Sequence, residues 1–70
     1  MLSKTAEYAL RALLVLARRG ARGGAAVRAE EIADAVGAPR NYMSKTLHAL
    51  AKQGFVASAR GPLGGFTLAV

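Results

Sequence analysis

Asn41, Ser44, Lys45, His48 and Lys52 recur three and four residues apart, a spacing that gathers side chains on one face of a helix. None is acidic, and each carries a hydrogen-bonding group. Such a face can read base edges in a major groove or hold phosphate oxygens. Lys45 is the strongest single candidate, because an ammonium reaches either a guanine edge or a phosphate. Asn41, Ser44 and Arg40 are assigned with it to base-edge or phosphate contact. His48 and Lys52, further along, are assigned to the backbone. Tyr42, beside Met43, is read as partly buried, with its hydroxyl free to touch phosphate.

A second set lies near the other end, in Arg60-Gly61-Pro62-Leu63-Gly64-Gly65-Phe66. Strand-like residues flank it, 55–58 before and 66–68 after. The glycines and proline between them ask for a tight hairpin. An arginine at its mouth can point a guanidinium at a phosphate or into a narrow groove. The Gly64-Gly65 pair is read as allowing close backbone approach to a partner. Phe66 anchors the hairpin, and Phe55 and Tyr8 belong to the core.

Three helices must position these groups. The first is expected from Ser3 or Thr5 to Arg19, capped by either hydroxyl, with Ala6, Ala9, Leu10, Leu13, Leu16 and Ala17 inward. Leu14 and Val15 widen that stripe and suit either ordinary core or a docking face. The second helix should span 29–36, with Ile32, Ala33 and Val36 inward and Glu30 and Glu31 at its favourable N-terminal end. Arg28 is a poor cap for it, and Gly37 is its left-handed stop. Pro39 suits the first position of a third helix, 39–53, with Met43, Leu47, Leu50 and Ala51 buried. Two helices joined by a short Gly-containing turn form a helix-turn-helix. With a hairpin over 55–69, the expected fold is mainly α with a small β wing, one winged helix-turn-helix domain over 1–70.

Composition narrows the function. Seventy residues with a formal charge of +6 favour a polyanionic partner. There is no cysteine and one histidine, so metal sites and thiolate chemistry are not expected. His48 lacks a Ser, Cys or carboxylate partner for catalysis, and enzyme activity is not expected. The longest apolar run, Ala12 to Ala17, falls far short of the roughly 20 residues that span a bilayer. The Met1 end lacks a signal-peptide pattern, so a soluble, cytoplasmic protein is expected. Arg19-Gly20-Ala21-Arg22-Gly23-Gly24 is glycine-rich and basic, but without Gly-Lys-Ser/Thr opening a helix it is read as a connection, not a phosphate loop. Two classes remain: duplex DNA binding, and a winged helix used for protein assembly against an acidic partner. A module that binds DNA only when dimerised is a third possibility, suited by the broad stripe of the first helix.

The residues Ser3-Lys4, Tyr8-Ala9-Leu10, Glu31-Ile32-Ala33, Tyr42-Met43, Lys45, Leu47, Leu50, Gly54-Phe55-Val56 and Arg60-Gly61-Pro62 with Gly64-Gly65-Phe66 together resemble the Rrf-two family of bacterial winged-helix regulators. That resemblance implies a dimeric, sequence-specific transcription factor, read as a repressor, on an inverted-repeat operator. The recognition helix would enter the major groove and the wing the minor groove. It implies groove-facing roles for Asn41, Ser44 and Lys45, wing roles for Arg60 and Gly61, and a place near phosphate for Lys4, with Tyr8 beside it. Family members usually continue through a long dimerisation helix and, in many, a loop with three cysteines. Homodimerisation is therefore expected through a helix beyond Val70, and an iron–sulfur cluster only with a cysteine-bearing continuation. Arg28, Ala38 and Thr46 depart from the family's usual residues.

Overall fold

The computed structural model describes residues 3–20, 26–59 and 64–69. Helices α1 (Lys4–Gly20), α2 (Ala29–Val36) and α3 (Arg40–Lys52) precede strands β1 (Val56–Ala59) and β2 (Gly65–Leu68). Arg60, Gly61, Pro62 and Leu63 at the wing tip lie outside the described residues, as does the basic connection from Ala21 to Gly24.

Ser3 starts α1 as its sequence suggests. Its Oγ accepts from the Ala6 N–H at 3.1 Å and its carbonyl from the Glu7 N–H at 2.9 Å, satisfying donors that a helix start leaves orphaned. The buried face of α1 is rotated from the expected one. Ala12 and Leu16 are buried, whereas Leu10 and Leu14 are 51% and 58% exposed and Ala17 faces solvent. The physical reason is crowding. Because α1 packs against α2, α3 and β2, the small Ala12 takes the innermost position and the leucines on the far side have nothing to meet.

Helix α2 starts at Arg28 without a side-chain cap and ends at Gly37, φ 83°, whose N–H donates to the Ala33 carbonyl at 2.8 Å. The positive φ is what glycine supplies there. Helix α3 begins one residue later than expected. Pro39 is its N-cap, with ψ 139°, and the Pro39 carbonyl accepts the Met43 N–H at 2.9 Å. Met43, Thr46, Leu47 and Leu50 are buried, while Ala51 is half-buried. Thr46 is a polar residue in the core, and its hydroxyl is satisfied by donating to the Tyr42 carbonyl at 3.0 Å.

Strands β1 and β2 pair antiparallel, with Val56 opposite Leu68 and Ser58 opposite Phe66. Phe66 is held from both sides. Beyond Ser58 it exchanges two backbone hydrogen bonds with Val27, at 2.8 and 2.9 Å, so Val27 acts as a third rung that local sequence did not reveal. Phe55 is not core: it is 40% exposed. Its neighbour Val56 turns inward, and alternation along an extended chain sends the residue before it outward.

Candidate nucleic-acid interface

The exposed side of α3 builds the candidate site. At 100° per residue, Asn41, Lys45, His48 and Lys52 fall within one sector opposite Met43 and Leu50, and all four are exposed. Ser44, at the edge of that sector, is half-buried. Over 13 residues the helix is about 20 Å long, and a groove about 12 Å wide admits one such rod. Three of the described acids are already committed on the α2 side. Glu30 meets Arg28, Glu31 meets Arg19 and Asp34 meets Arg40, each at 3.1 Å. Among the described residues Lys4, Lys45 and Lys52 form no ion pair, so their positive charge stands unopposed along this side.

Arg40 differs from the other candidates. Its guanidinium reaches back across the turn to both carboxylate oxygens of Asp34, at 3.5 and 3.1 Å. The pair is largely solvated, so it steers Arg40 without adding much stability. Asn41 also has an internal partner, since its Oδ1 accepts the Tyr42 N–H at 3.0 Å.

Two elements flank the face of α3. On one side stands the start of α1. Tyr8 and Tyr42 meet edge to face, ring centres 5.5 Å apart at 79°, and the Lys4 ammonium lies 5.9 Å from the Tyr8 ring centre. Thr5 Oγ1 and the Tyr42 hydroxyl share a hydrogen bond. Lys4 and Tyr8, far from α3 in sequence, thereby join Tyr42 at the start of α3. The Tyr42 hydroxyl is not free, contrary to expectation; Thr5 engages it. Tyr8 is half-buried against the core and not part of its centre.

The hairpin stands on the other side. The His48 and Phe66 rings meet edge to face at 5.6 Å, fixing α3 against the wing's anchor. His48 was expected toward the phosphate backbone; it is exposed and also a packing residue. Gly64 and Gly65 are half-buried at the start of β2. Gly65 has φ 139°, and a Cβ there would lie 2.7 Å from the Val27 carbonyl oxygen. The close approach inferred for this glycine is thus made within the chain, against Val27. Arg60 and Gly61 lie outside the described residues.

Sequence reasoning missed Thr5 and Val27. The Ser3-Lys4-x-x-x-Tyr8 pattern signalled that the start of α1 mattered, but no local signal couples position 5 to position 42. Among the described residues, no group of three His, Asp or Glu could hold a metal, and no helix is long and apolar enough to cross a membrane.

Residues 2–70 match the Rrf2 family, described as iron-dependent transcriptional regulator. A putative HTH-type transcriptional regulator of Aquifex aeolicus is 46% identical over 67 residues, 96% of this chain and 44% of the relative. A putative Rrf2-like HTH-type regulator of Rhodobacter capsulatus is 42% identical over 69 residues, 97% of this chain and 46% of the relative. Of solved structures, IscR of T. potens superposes with TM-score 0.86 at 31% identity, over 100% of this chain and 50% of its own. CymR, the global cysteine regulator of B. subtilis, gives TM-score 0.88 at 26% identity, over 100% of this chain and 53% of its own. The chain thus spans about half the length of the relatives it matches, and three helices with a two-stranded hairpin are the winged-helix architecture of these neighbours.

Proposed function

The chain belongs to the Rrf2 family of transcriptional regulators, and from that premise we propose that its 70 residues are a winged helix-turn-helix domain that binds duplex DNA by sequence. The observation that carries this reading is the exposed, acid-free face of α3, flanked by the Lys4–Tyr8–Tyr42 cluster and by the hairpin. In this reading α3 enters a major groove. Asn41, Ser44 and Lys45, in its first two turns, meet base edges. Lys52 and His48 meet the backbone further along, and Lys4 meets a phosphate beside the helix start. Arg60 and Gly61 at the wing tip reach the neighbouring minor groove. Arg40, partnered by Asp34, contributes orientation more than charge.

The domain works as half of a homodimer on an inverted repeat in the cytoplasm, most simply as a repressor. One feature supports the dimer: Leu10 and Leu14 leave an apolar stripe on α1 without a partner in the described residues. Two-fold symmetric proteins read half-sites about one helical turn apart. Repeated selection from a randomised duplex pool tests the reading. Enrichment of a defined motif supports it, and recovery of unselected sequence, with binding independent of base order, overturns it.

A further inference from the structure

Helix α3 starts without the usual fastening. Its N-cap is Pro39, which has no side-chain donor or acceptor, and no side-chain cap bond is made there. The first turn of a helix is where fraying is cheapest, because its N–H groups have no intrahelical partner. Yet this turn carries Arg40, Asn41, Tyr42 and, one turn on, Ser44 and Lys45, the groups assigned above to DNA. Within the turn, one side-chain bond helps, Asn41 Oδ1 accepting the Tyr42 N–H; its remaining order comes from contacts made from outside. On the α2 side, the solvated Asp34–Arg40 pair steers one long side chain. On the α1 side, the bond between Thr5 and the Tyr42 hydroxyl is backed by the Tyr8 ring.

We propose that Thr5 is a positioning residue for DNA recognition: through the Tyr42 hydroxyl it fastens the first turn of α3 to α1 before DNA arrives. This rests on the DNA-binding reading above. The arrangement around the two residues favours it. Thr5 and Tyr42, in contact through their hydroxyls, both line a cleft of about 210 Å³ with Lys45, Thr46 and Ala49. Besides Tyr42, the walls named for that cleft offer one further hydroxyl, Thr46, which is already donated to the Tyr42 carbonyl. The Tyr42 side chain thus links three things: the α1 start through Thr5, the Tyr8 ring, and the helix turn that presents Lys45. Without the Thr5 hydroxyl, Tyr42 keeps its ring contact but loses the directional tie. The turn then has to be ordered at the moment of binding, and affinity falls by that ordering cost.

The alternative is that the Tyr42 hydroxyl itself touches phosphate, with Thr5 an incidental neighbour. The two differ in which substitutions matter. Binding to a randomised duplex pool is measured well below the melting temperature, so that each protein is fully folded, for the unaltered chain, Thr5→Val, Thr5→Ser, Tyr42→Phe and the double variant Thr5→Val with Tyr42→Phe. Loss of one net hydrogen bond corresponds to about 3- to 10-fold weaker binding. That loss is expected equally for Thr5→Val and for Tyr42→Phe, with no further loss in the double variant. Thr5→Ser, which restores the hydroxyl, should bind like the unaltered chain. The salt dependence should be unchanged in all four variants, since none removes a cation.

Thr5→Val binding as tightly as the unaltered chain while Tyr42→Phe weakens overturns the proposal, and so does additivity of the two. Failure of Thr5→Ser to rescue, with its fold intact, overturns it as well. If the unaltered chain binds no duplex at all, the DNA-binding reading itself fails and this inference with it, an outcome distinct from a silent Thr5→Val.

Discussion

Replacing Gly65 with alanine should damage the fold before it damages recognition. Gly65 has φ 139°, and an added Cβ would sit 2.7 Å from the Val27 carbonyl oxygen, 2.8 Å from its carbon and 3.2 Å from the Arg28 nitrogen. Those atoms are backbone and cannot swing aside as a side chain would. To yield, Val27 must retreat from Phe66 and stretch the paired hydrogen bonds of 2.8 and 2.9 Å. A non-glycine residue in such a backbone region costs about 1–3 kcal/mol, and each weakened hydrogen bond about 0.5–1.5 kcal/mol. A total near 3 kcal/mol is a large share of the stability of a domain this small. At roughly 4–8 °C per kcal/mol the melting temperature should fall by about 12–24 °C.

Gly37→Ala is the control, because Gly37 also has positive φ, 83°, but nothing lies within 4 Å of its would-be Cβ. It should lose only the conformational share, about 1–2 kcal/mol. Thermal and urea denaturation of both variants, followed by circular dichroism, measure the difference. If Gly65→Ala melts no lower than Gly37→Ala, the contact with Val27 does not constrain this glycine and the reasoning fails.

Other substitutions separate core from contact. Leu47→Ala, at a fully buried side chain, should cost about 2–5 kcal/mol, read as a lower urea midpoint. Lys45→Ala, at an exposed position, should leave stability within ~0.5 kcal/mol. It should also shift which sequences a duplex selection enriches; uniformly weaker binding with unchanged preference would limit Lys45 to phosphate. Asp34→Asn breaks a solvated pair, so its melting point should barely move. Its affinity for mixed-sequence duplex should fall as Arg40 loses the orientation Asp34 gives it, and higher affinity would show that the pair only withholds Arg40's charge. Phe66→Leu removes the ring that His48 packs against and should lower stability by about 1 kcal/mol.

Much of the fold could be read from residue order because its punctuation is strong. Gly37, Pro39 and Gly54 bracket α2 and α3, and the spacing of Met43, Leu47 and Leu50 leaves α3 one sensible orientation. The exposed face of α3 follows from that orientation alone. Helix α1 was harder, for a physical reason. From Ala12 to Ala17 every residue is apolar, so periodicity does not choose a face, and tertiary crowding put Ala12 in and Leu10 out.

Val27 was invisible because an isolated bridge leaves no alternation to detect, and Gly65, its counterpart, admits more than one reason for being glycine. The tie between Thr5 and Tyr42 spans 37 positions; only the packing of α1 on α3 creates it. Phe55 misled because size and hydrophobicity suggest burial, whereas its parity beside Val56 sends it to the surface.

The salt dependence of duplex binding tests the central claim most directly. With four cationic side chains, Lys4, Lys45, Lys52 and Arg60, displacing counterions as they enter the grooves or meet phosphate, the logarithm of affinity should fall against the logarithm of salt concentration with a slope near −4 per domain. Loss of about one unit of slope in Lys52→Ala would tie the effect to α3. A flat titration, with affinity for duplex unchanged across salt, would contradict the account.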